Sequence, residues 1–147
     1  MIRVGILGCA NIAKRSLAPA FFEHPNFKLV AVASRTQEKA VDFSMQYRAR
    51  PCSYEGLVED RDVDLIYCPL PTGLHYEWVK KCLQKGKHVL CEKSLASDFS
   101  EVEDLVNVAR ANKLFLMESF QFRFHPQNLF VRKLLDEGVI GDLRSVN

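Results

Sequence analysis

The stretch Ile2-Arg3-Val4-Gly5-Ile6-Leu7-Gly8-Cys9-Ala10-Asn11-Ile12-Ala13 decides how the rest of the chain is read. Ile2, Val4, Ile6 and Leu7 suit a buried strand, and small residues then lead into a sequence that can start a helix. The first N–H groups of a helix have no intrahelical acceptor and the dipole there favours an anion, so such a turn suits a phosphate. The dinucleotide fingerprint Gly-x-Gly-x-x-Gly/Ala uses one glycine for the turn, one for the approach of the pyrophosphate and a small third residue for helix–strand packing. Gly8, Ala10 and Ala13 occupy those positions, and Ala10 departs from the pattern by one methyl group. On this motif alone, an ordinary tight turn explains the residues as well as a phosphate site does.

At 147 residues the chain can bury one good core, whereas two full domains are unusual at this length. Hydrophobic residues at 48% and charged ones at 26% describe a soluble globular protein, and a net charge of +2 argues for neither nucleic acid nor an anionic membrane. No apolar stretch is long enough to span a bilayer, and Met1 leads straight into the first strand without room for a signal peptide; the expected location is the cytoplasm. Cys9, Cys52, Cys68, Cys82 and Cys91 form no Cys-x-x-Cys pair and mostly sit in apolar runs, as reduced packing thiols do. His24, His75, His88 and His125 show no zinc-ligand spacing, so no metal is expected.

Reading outward, residues 12–22 predict a helix broken by Pro25-Asn26, and residues 28–33 a second strand, completing a βαβ unit. A helix over 36–47, a short strand over 50–52, a short helix over 53–59 and a strand over 64–68 follow. Residues 75–85 place Trp78, Val79, Cys82 and Leu83 on one side at helical spacing, with Gly86 as the cap. A strand over 88–91 comes next, and Ser100-Glu101-Val102-Glu103 has the form of a capping box opening a helix that buries Val102, Leu105, Val106 and Ala109. Residues 114–117 predict the last strand of a doubly wound parallel sheet, an α/β fold whose strands are apolar throughout because helices cover both faces. Beyond residue 120 the rhythm changes: a helix over 129–135, then Gly138 and Gly141, then a strand over 143–147. The expected division is residues 1–120 for the dinucleotide-binding domain and 121–147 for a connecting helix and the first strand of an otherwise missing substrate domain.

In such a sheet ligands lie beyond the carboxyl ends of the strands. Ser34-Arg35-Thr36 follows the second strand, where an acidic residue would hold the ribose of NAD; a hydroxyl and an arginine suit the extra phosphate of NADP, although a lone arginine also occurs as a solvated loop cation. In Pro69-Leu70-Pro71-Thr72-Gly73-Leu74-His75 the prolines hold an extended loop that could lie along the cofactor, with Thr72 either binding or capping and His75 either binding or simply opening a helix. Glu92-Lys93 places two costly side chains at a strand tip. A lysine there can donate a proton to a carbonyl as hydride arrives, and a surface ion pair is the plain alternative. Glu118, Arg123 and His125 follow the last strand and either line the same cleft or serve structure.

Together the Gly8 turn, Ser34-Arg35, Pro71 with His75, Glu92-Lys93 and Glu118-Ser119-Phe120-Gln121-Phe122-Arg123-Phe124-His125-Pro126-Gln127, in that order, resemble the Gfo/Idh/MocA family (glucose-fructose oxidoreductase, inositol dehydrogenase, MocA) over essentially the whole chain. The resemblance implies a Rossmann domain binding a nicotinamide cofactor, then a larger α/β domain that contacts substrate and forms the oligomer interface. It implies that Lys93 is the catalytic lysine, near nicotinamide and substrate, and that the substrate is a sugar, polyol or dihydrodiol. Gly8, Ala10, Asn11, Ile12, Ser34, Arg35, Pro71, Thr72, His75, Glu92 and Lys93 are the expected cofactor contacts, and Glu118, Arg123 and His125 the expected substrate-cleft residues. The family usually has Glu-Lys-Pro; Ser94 replaces that proline and predicts a less rigid backbone behind Lys93. The family's second catalytic residue, a histidine or tyrosine, belongs to the domain expected to be missing.

The leading expectation is therefore the cofactor-binding part of an oxidoreductase using NADP, with NAD as the alternative cofactor, poorly active on its own and homo-oligomeric at full length. A non-catalytic NADP-binding sensor or interaction module is the second reading. A Rossmann-like methyltransferase fits Arg35 and Glu92-Lys93 poorly.

Overall fold

The computed structural model describes residues 1–145. Six strands, β1 (Ile2–Leu7), β2 (Phe27–Ala33), β3 (Arg50–Cys52), β4 (Leu65–Cys68), β5 (His88–Cys91) and β6 (Leu116–Glu118), form one sheet in the order β3-β2-β1-β4-β5-β6. Every neighbouring pair is parallel. The chain winds outward from β1 twice, in opposite directions, and right-handed crossovers put the helices of the two passages on opposite faces. Helices α1 (Asn11–Arg15), α2 (Leu17–Glu23) and α3 (Gln37–Tyr47) cover one face; α4 (Tyr54–Glu59), α5 (His75–Gln84) and α6 (Phe99–Ala111) cover the other.

Strand alternation divides the core accordingly. Val4, Ile6 and Tyr67 pack with Ala13, Phe21 and Phe43, whereas Leu7, Ile66 and Cys68 pack with Leu57, Val79, Leu83 and Leu105. A bulge interrupts the alternation in β2, where the register passes from Val4↔Leu29 to Gly5↔Ala31. Val30 and Ala31 both contact the α4–α6 cluster before Val32 returns to the other side.

Five expectations are corrected. The helix expected over 12–22 is two helices separated at Ser16 (φ −125°, ψ −81°). Pro19 accounts for the break, since a proline inside a helix lacks the N–H and crowds the carbonyl four residues back, here that of Arg15. Helix α6 starts before the expected capping box: Asp98 is its cap, accepting from Glu101 N at 3.0 Å, while Glu101 accepts from Ser97 N at 2.9 Å. The Ser100 hydroxyl donates to Asp98 instead. The last strand lies at Leu116–Glu118, and helix α7 (Pro126–Asp136) begins earlier than 129 because Pro126 suits its first position. Residues 143–145 form no strand, and the rest of the strand expected there falls outside the described residues.

Burial drops sharply after Ser119: between 121 and 145 only Leu134 and Leu135 are partly covered, and Phe122, Phe124, Leu129 and Phe130 are exposed. Among the described residues, no helix is long and apolar enough to cross a membrane.

Candidate cofactor and active site

The sheet order sets the tips of β2, β1, β4 and β5 side by side, so Ser34, Gly8, Pro69 and Glu92 leave the sheet along one edge. Gly8 turns the chain at φ 121°, a conformation that side chains disfavour, and a Cβ there would sit 2.8 Å from Leu70 Cδ2. Its N–H donates to Ala33 O at 2.9 Å, tying the turn to the end of β2. Ala10 is extended (φ −77°, ψ 155°) at the start of α1, so its backbone does not need glycine and the methyl group is accommodated. Ala13 is fully buried, as the third fingerprint position requires. Asn11 and Ile12 open α1 with their N–H groups free of intrahelical acceptors. Since α1 is only five residues long, an anion here would be held by these local groups rather than by the dipole of a long helix.

A cavity of about 250 Å³ opens on this turn, lined by Gly8, Cys9 and Ala10 on one side and by Ser34, Arg35, Thr36 and Lys39 on another. Pro69, Leu70, Pro71, Leu74 and Tyr54 close it, and no carboxylate lines it. Lys39 was not singled out by the sequence reading. It stands four residues after Arg35 in the first turn of α3, which returns it over the β2 tip, and that spacing is the signal that could have found it. Tyr54, also missed, begins α4 and packs edge-on to Trp78 with ring centroids 5.1 Å apart. The Cys9 thiol donates to Ala33 O at 3.6 Å, and burial pushes its pKa up, so it remains protonated in the cavity wall.

At the β4 and β5 tips the expected residues separate into distinct roles. Pro71 lines the cavity and precedes a 3-10 turn at Thr72–Leu74; no side-chain cap is made there or at the start of α5, so Thr72 is not a capping residue. His75 does not face the cavity: it is fully buried, with Nε2 2.6 Å from Leu70 O and Nδ1 2.7 Å from Ser94 O. Its expected contact with cofactor is replaced by a bridge between two loops. Glu92 and Lys93 do not form the surface ion pair that was the plain alternative for them. Glu92 is 8% exposed and accepts from the Tyr67 hydroxyl at 2.8 Å, whereas Lys93 is exposed and has no ion-pair partner among the described residues. Burial, reinforced by Glu92, pushes the Tyr67 phenol up, so it stays neutral and donates.

The three residues expected in the substrate cleft diverge as well. Glu118 Oε1 accepts from Leu95 N at 2.9 Å, and His125 Nδ1 caps α7 by accepting from Gln127 N at 3.2 Å. Both are therefore bound to backbone; Arg123 is exposed in a 3-10 turn at Gln121–Phe124. Folding also gathers Cys68, His75 and Cys91 so that one ligand atom of each lies within 4.8 Å of the others, although no spacing in the sequence marked them. Both ring nitrogens of His75 face carbonyl oxygens at 2.6 and 2.7 Å, and the Cys91 thiol is pushed up by its hydrogen bond with Cys68 and by burial. The cluster is packing rather than a ligand set.

A cradle that only glycine fits, a cation-lined cavity beside it, and an exposed lysine two strands away along the same edge together suit an extended, phosphate-bearing cofactor with its reactive end toward β5. Residues 2–120 match the family described as "Oxidoreductase family, NAD-binding Rossmann fold", and the chain belongs to this Gfo/Idh/MocA family. It is 47% identical over 145 residues to a dTDP-3,4-didehydro-2,6-dideoxy-alpha-D-glucose 3-reductase from Actinomadura kijaniata, covering 98% of this chain and 44% of that protein. It is 40% identical over 121 residues to a trans-1,2-dihydrobenzene-1,2-diol dehydrogenase from Xenopus tropicalis, covering 81% of this chain and 37% of the relative. A crystal structure of a 3-ketoreductase from Actinomadura kijaniata in complex with NADP and TDP-benzene superposes with a TM-score of 0.92 at 46% identity, over 97% of this chain and 44% of that one. The chain thus spans less than half the length of the curated relatives it matches.

Proposed function

We propose that this chain is the cofactor-binding part of an NADP-dependent oxidoreductase that moves hydride between the nicotinamide and a CH–OH or C=O centre of a sugar, polyol or dihydrodiol. The observation that carries the cofactor choice is the cavity in which Arg35, from the loop after β2, and Lys39, from the first turn of α3, converge with Ser34 and Thr36 and with no carboxylate. A carboxylate would repel the 2′-phosphate and would instead favour the free ribose hydroxyl of NAD. The first turn of α1, at Ala10, Asn11 and Ile12, would face the pyrophosphate, and Pro71 and Thr72 would lie along the nicotinamide half. When bound, the nicotinamide supplies or accepts the hydride; the Lys93 ammonium holds or delivers the proton at the substrate oxygen. The relatives' names, a reductase of a dTDP-linked keto sugar and a dihydrodiol dehydrogenase, support this substrate class.

The dinucleotide-binding unit is taken to end at residue 120, where the family match stops and burial falls away. A cytoplasmic, homo-oligomeric enzyme is the setting that this reading favours.

Titration with NADPH and NADH tests the cofactor assignment. NADPH should bind at least about tenfold more tightly, the effect of one charge-assisted contact, and Arg35→Ala or Lys39→Ala should erode that preference without weakening NADH. Equal affinities would remove NADP. For the chemistry, Lys93→Ala in protein expressed from the full native reading frame should lower kcat by about 10²–10⁴-fold while cofactor affinity holds. Unchanged turnover removes Lys93 from the mechanism.

A further inference from the structure

The peptide group joining Ser94 to Leu95 is held at both ends by side chains from other elements. Its carbonyl oxygen lies 2.7 Å from His75 Nδ1, and its N–H donates to Glu118 Oε1 at 2.9 Å. His75 opens α5 and Glu118 closes β6, so two distant parts of the chain meet on one peptide plane, one residue beyond Lys93. The second nitrogen of His75 lies 2.6 Å from Leu70 O, so the ring stands between the loop after β4 and the loop after β5, and a neutral imidazole donates to one of the two carbonyls at a time. On the other side of Lys93, the Glu92 N–H donates to Cys68 O at 3.0 Å and the Glu92 carboxylate accepts from Tyr67. Lys93 is thus an exposed residue whose flanking backbone is gripped before and behind.

The geometry points to Glu118 and His75 as positioning residues for Lys93: by clamping the Ser94–Leu95 peptide they set the direction in which the lysine amine leaves the sheet tip. Ser94 leaves the backbone without the ring restraint of a proline, and the Glu118 hydrogen bond together with the His75 ring against the Ser94 carbonyl supplies the restraint from outside the loop instead. Glu118 acts through its reach, as an acceptor for Leu95 N–H, and its charge is incidental. This inference rests on the reading that Lys93 works beside the nicotinamide.

Two variants separate reach from charge. Glu118→Gln keeps the length and an acceptor oxygen without the charge; Glu118→Asp keeps the charge but is one methylene short. The probe is pyridoxal 5′-phosphate, whose aldehyde condenses with the lysine amine, releasing water, to an imine that borohydride then reduces; peptide mass spectrometry reads labelling at Lys93 with and without saturating NADPH. Saturating NADPH should slow labelling at least about tenfold in the unaltered chain and in Glu118→Gln, but less than about twofold in Glu118→Asp, because a displacement of roughly 1 Å suffices to misplace a reacting group. NADPH affinity, measured alongside, should be the same for all three. Equal protection in all three, or protection kept by Asp and lost by Gln, overturns the positioning role. Should the Asp variant no longer bind NADPH, exchange of the Leu95 amide in the unaltered and Gln chains decides: slow exchange in both supports the clamp and fast exchange in either overturns it. NADPH that binds the unaltered chain without protecting Lys93 refutes the nicotinamide reading itself, and the positioning role falls with it.

Discussion

The Tyr67 hydroxyl donates to Glu92 Oε1 at 2.8 Å, joining a fully buried phenol in the middle of the sheet to a carboxylate that is 8% exposed at its edge. Removing the hydroxyl leaves a buried acceptor without its donor. Tyr67→Phe should therefore destabilise the chain by about 1–3 kcal/mol, seen as a lower urea midpoint with an unchanged slope. A midpoint equal to that of the unaltered chain would show that solvent already satisfies Glu92.

Gly8 combines φ 121° with a Leu70 methyl carbon 2.8 Å from where a Cβ would stand. Both the backbone conformation and the space therefore oppose a side chain. Gly8→Ala should cost about 1–3 kcal/mol in stability and weaken NADPH and NADH alike, because the turn serves the part common to both. Thermal unfolding and the two titrations check it, and a selective loss of NADPH alone would contradict this placement of the turn.

Far from the site, Arg3 grips Asp64 through Nε to Oδ2 at 3.0 Å and Nη2 to Oδ1 at 2.7 Å. The guanidinium beside it holds the Asp64 carboxyl at about 2, below its ordinary 3.8. A carboxyl whose folded value is depressed stabilises the fold above its unfolded value, and that contribution is lost as pH falls through the folded one. Urea midpoints should accordingly decline from pH 3.8 down to about 2, and Asp64→Asn should flatten that part of the profile. Added salt should shrink the effect, since the Asp64 side chain is 36% exposed. A profile as steep in the Asn variant would assign the acid sensitivity to other groups.

Much of the fold is legible without coordinates because both faces of a doubly wound sheet are covered and its strands become short apolar runs. The strand at His88–Cys91 has the expected bounds for that reason. Errors occur where one residue outweighs a pattern. Pro19 splits α1 from α2 against good helical composition, and Asp98 captures the start of α6 ahead of Ser100. In the site, the Gly8 turn and the Ser34-Arg35 tip line one cavity, and that placement is legible in the sequence because it depends on local backbone and on position after a strand. Lys39 and Tyr54 join them through tertiary packing of α3 and α4.

From the order of its residues alone, the chain determines an α/β sheet, a phosphate-suited turn at Gly8 and a lysine at the tip of β5, because strand period, glycine conformation and strand-end position are properties of short segments. Only the tertiary structure decides that His75 and Glu118 belong to the Ser94–Leu95 peptide rather than to the cleft, and that Glu92 belongs to Tyr67 rather than to Lys93. The physical reason is the demand of buried polar groups for partners: each takes the nearest donor or acceptor in space, and those neighbours lie 19, 23 and 25 residues away in the chain.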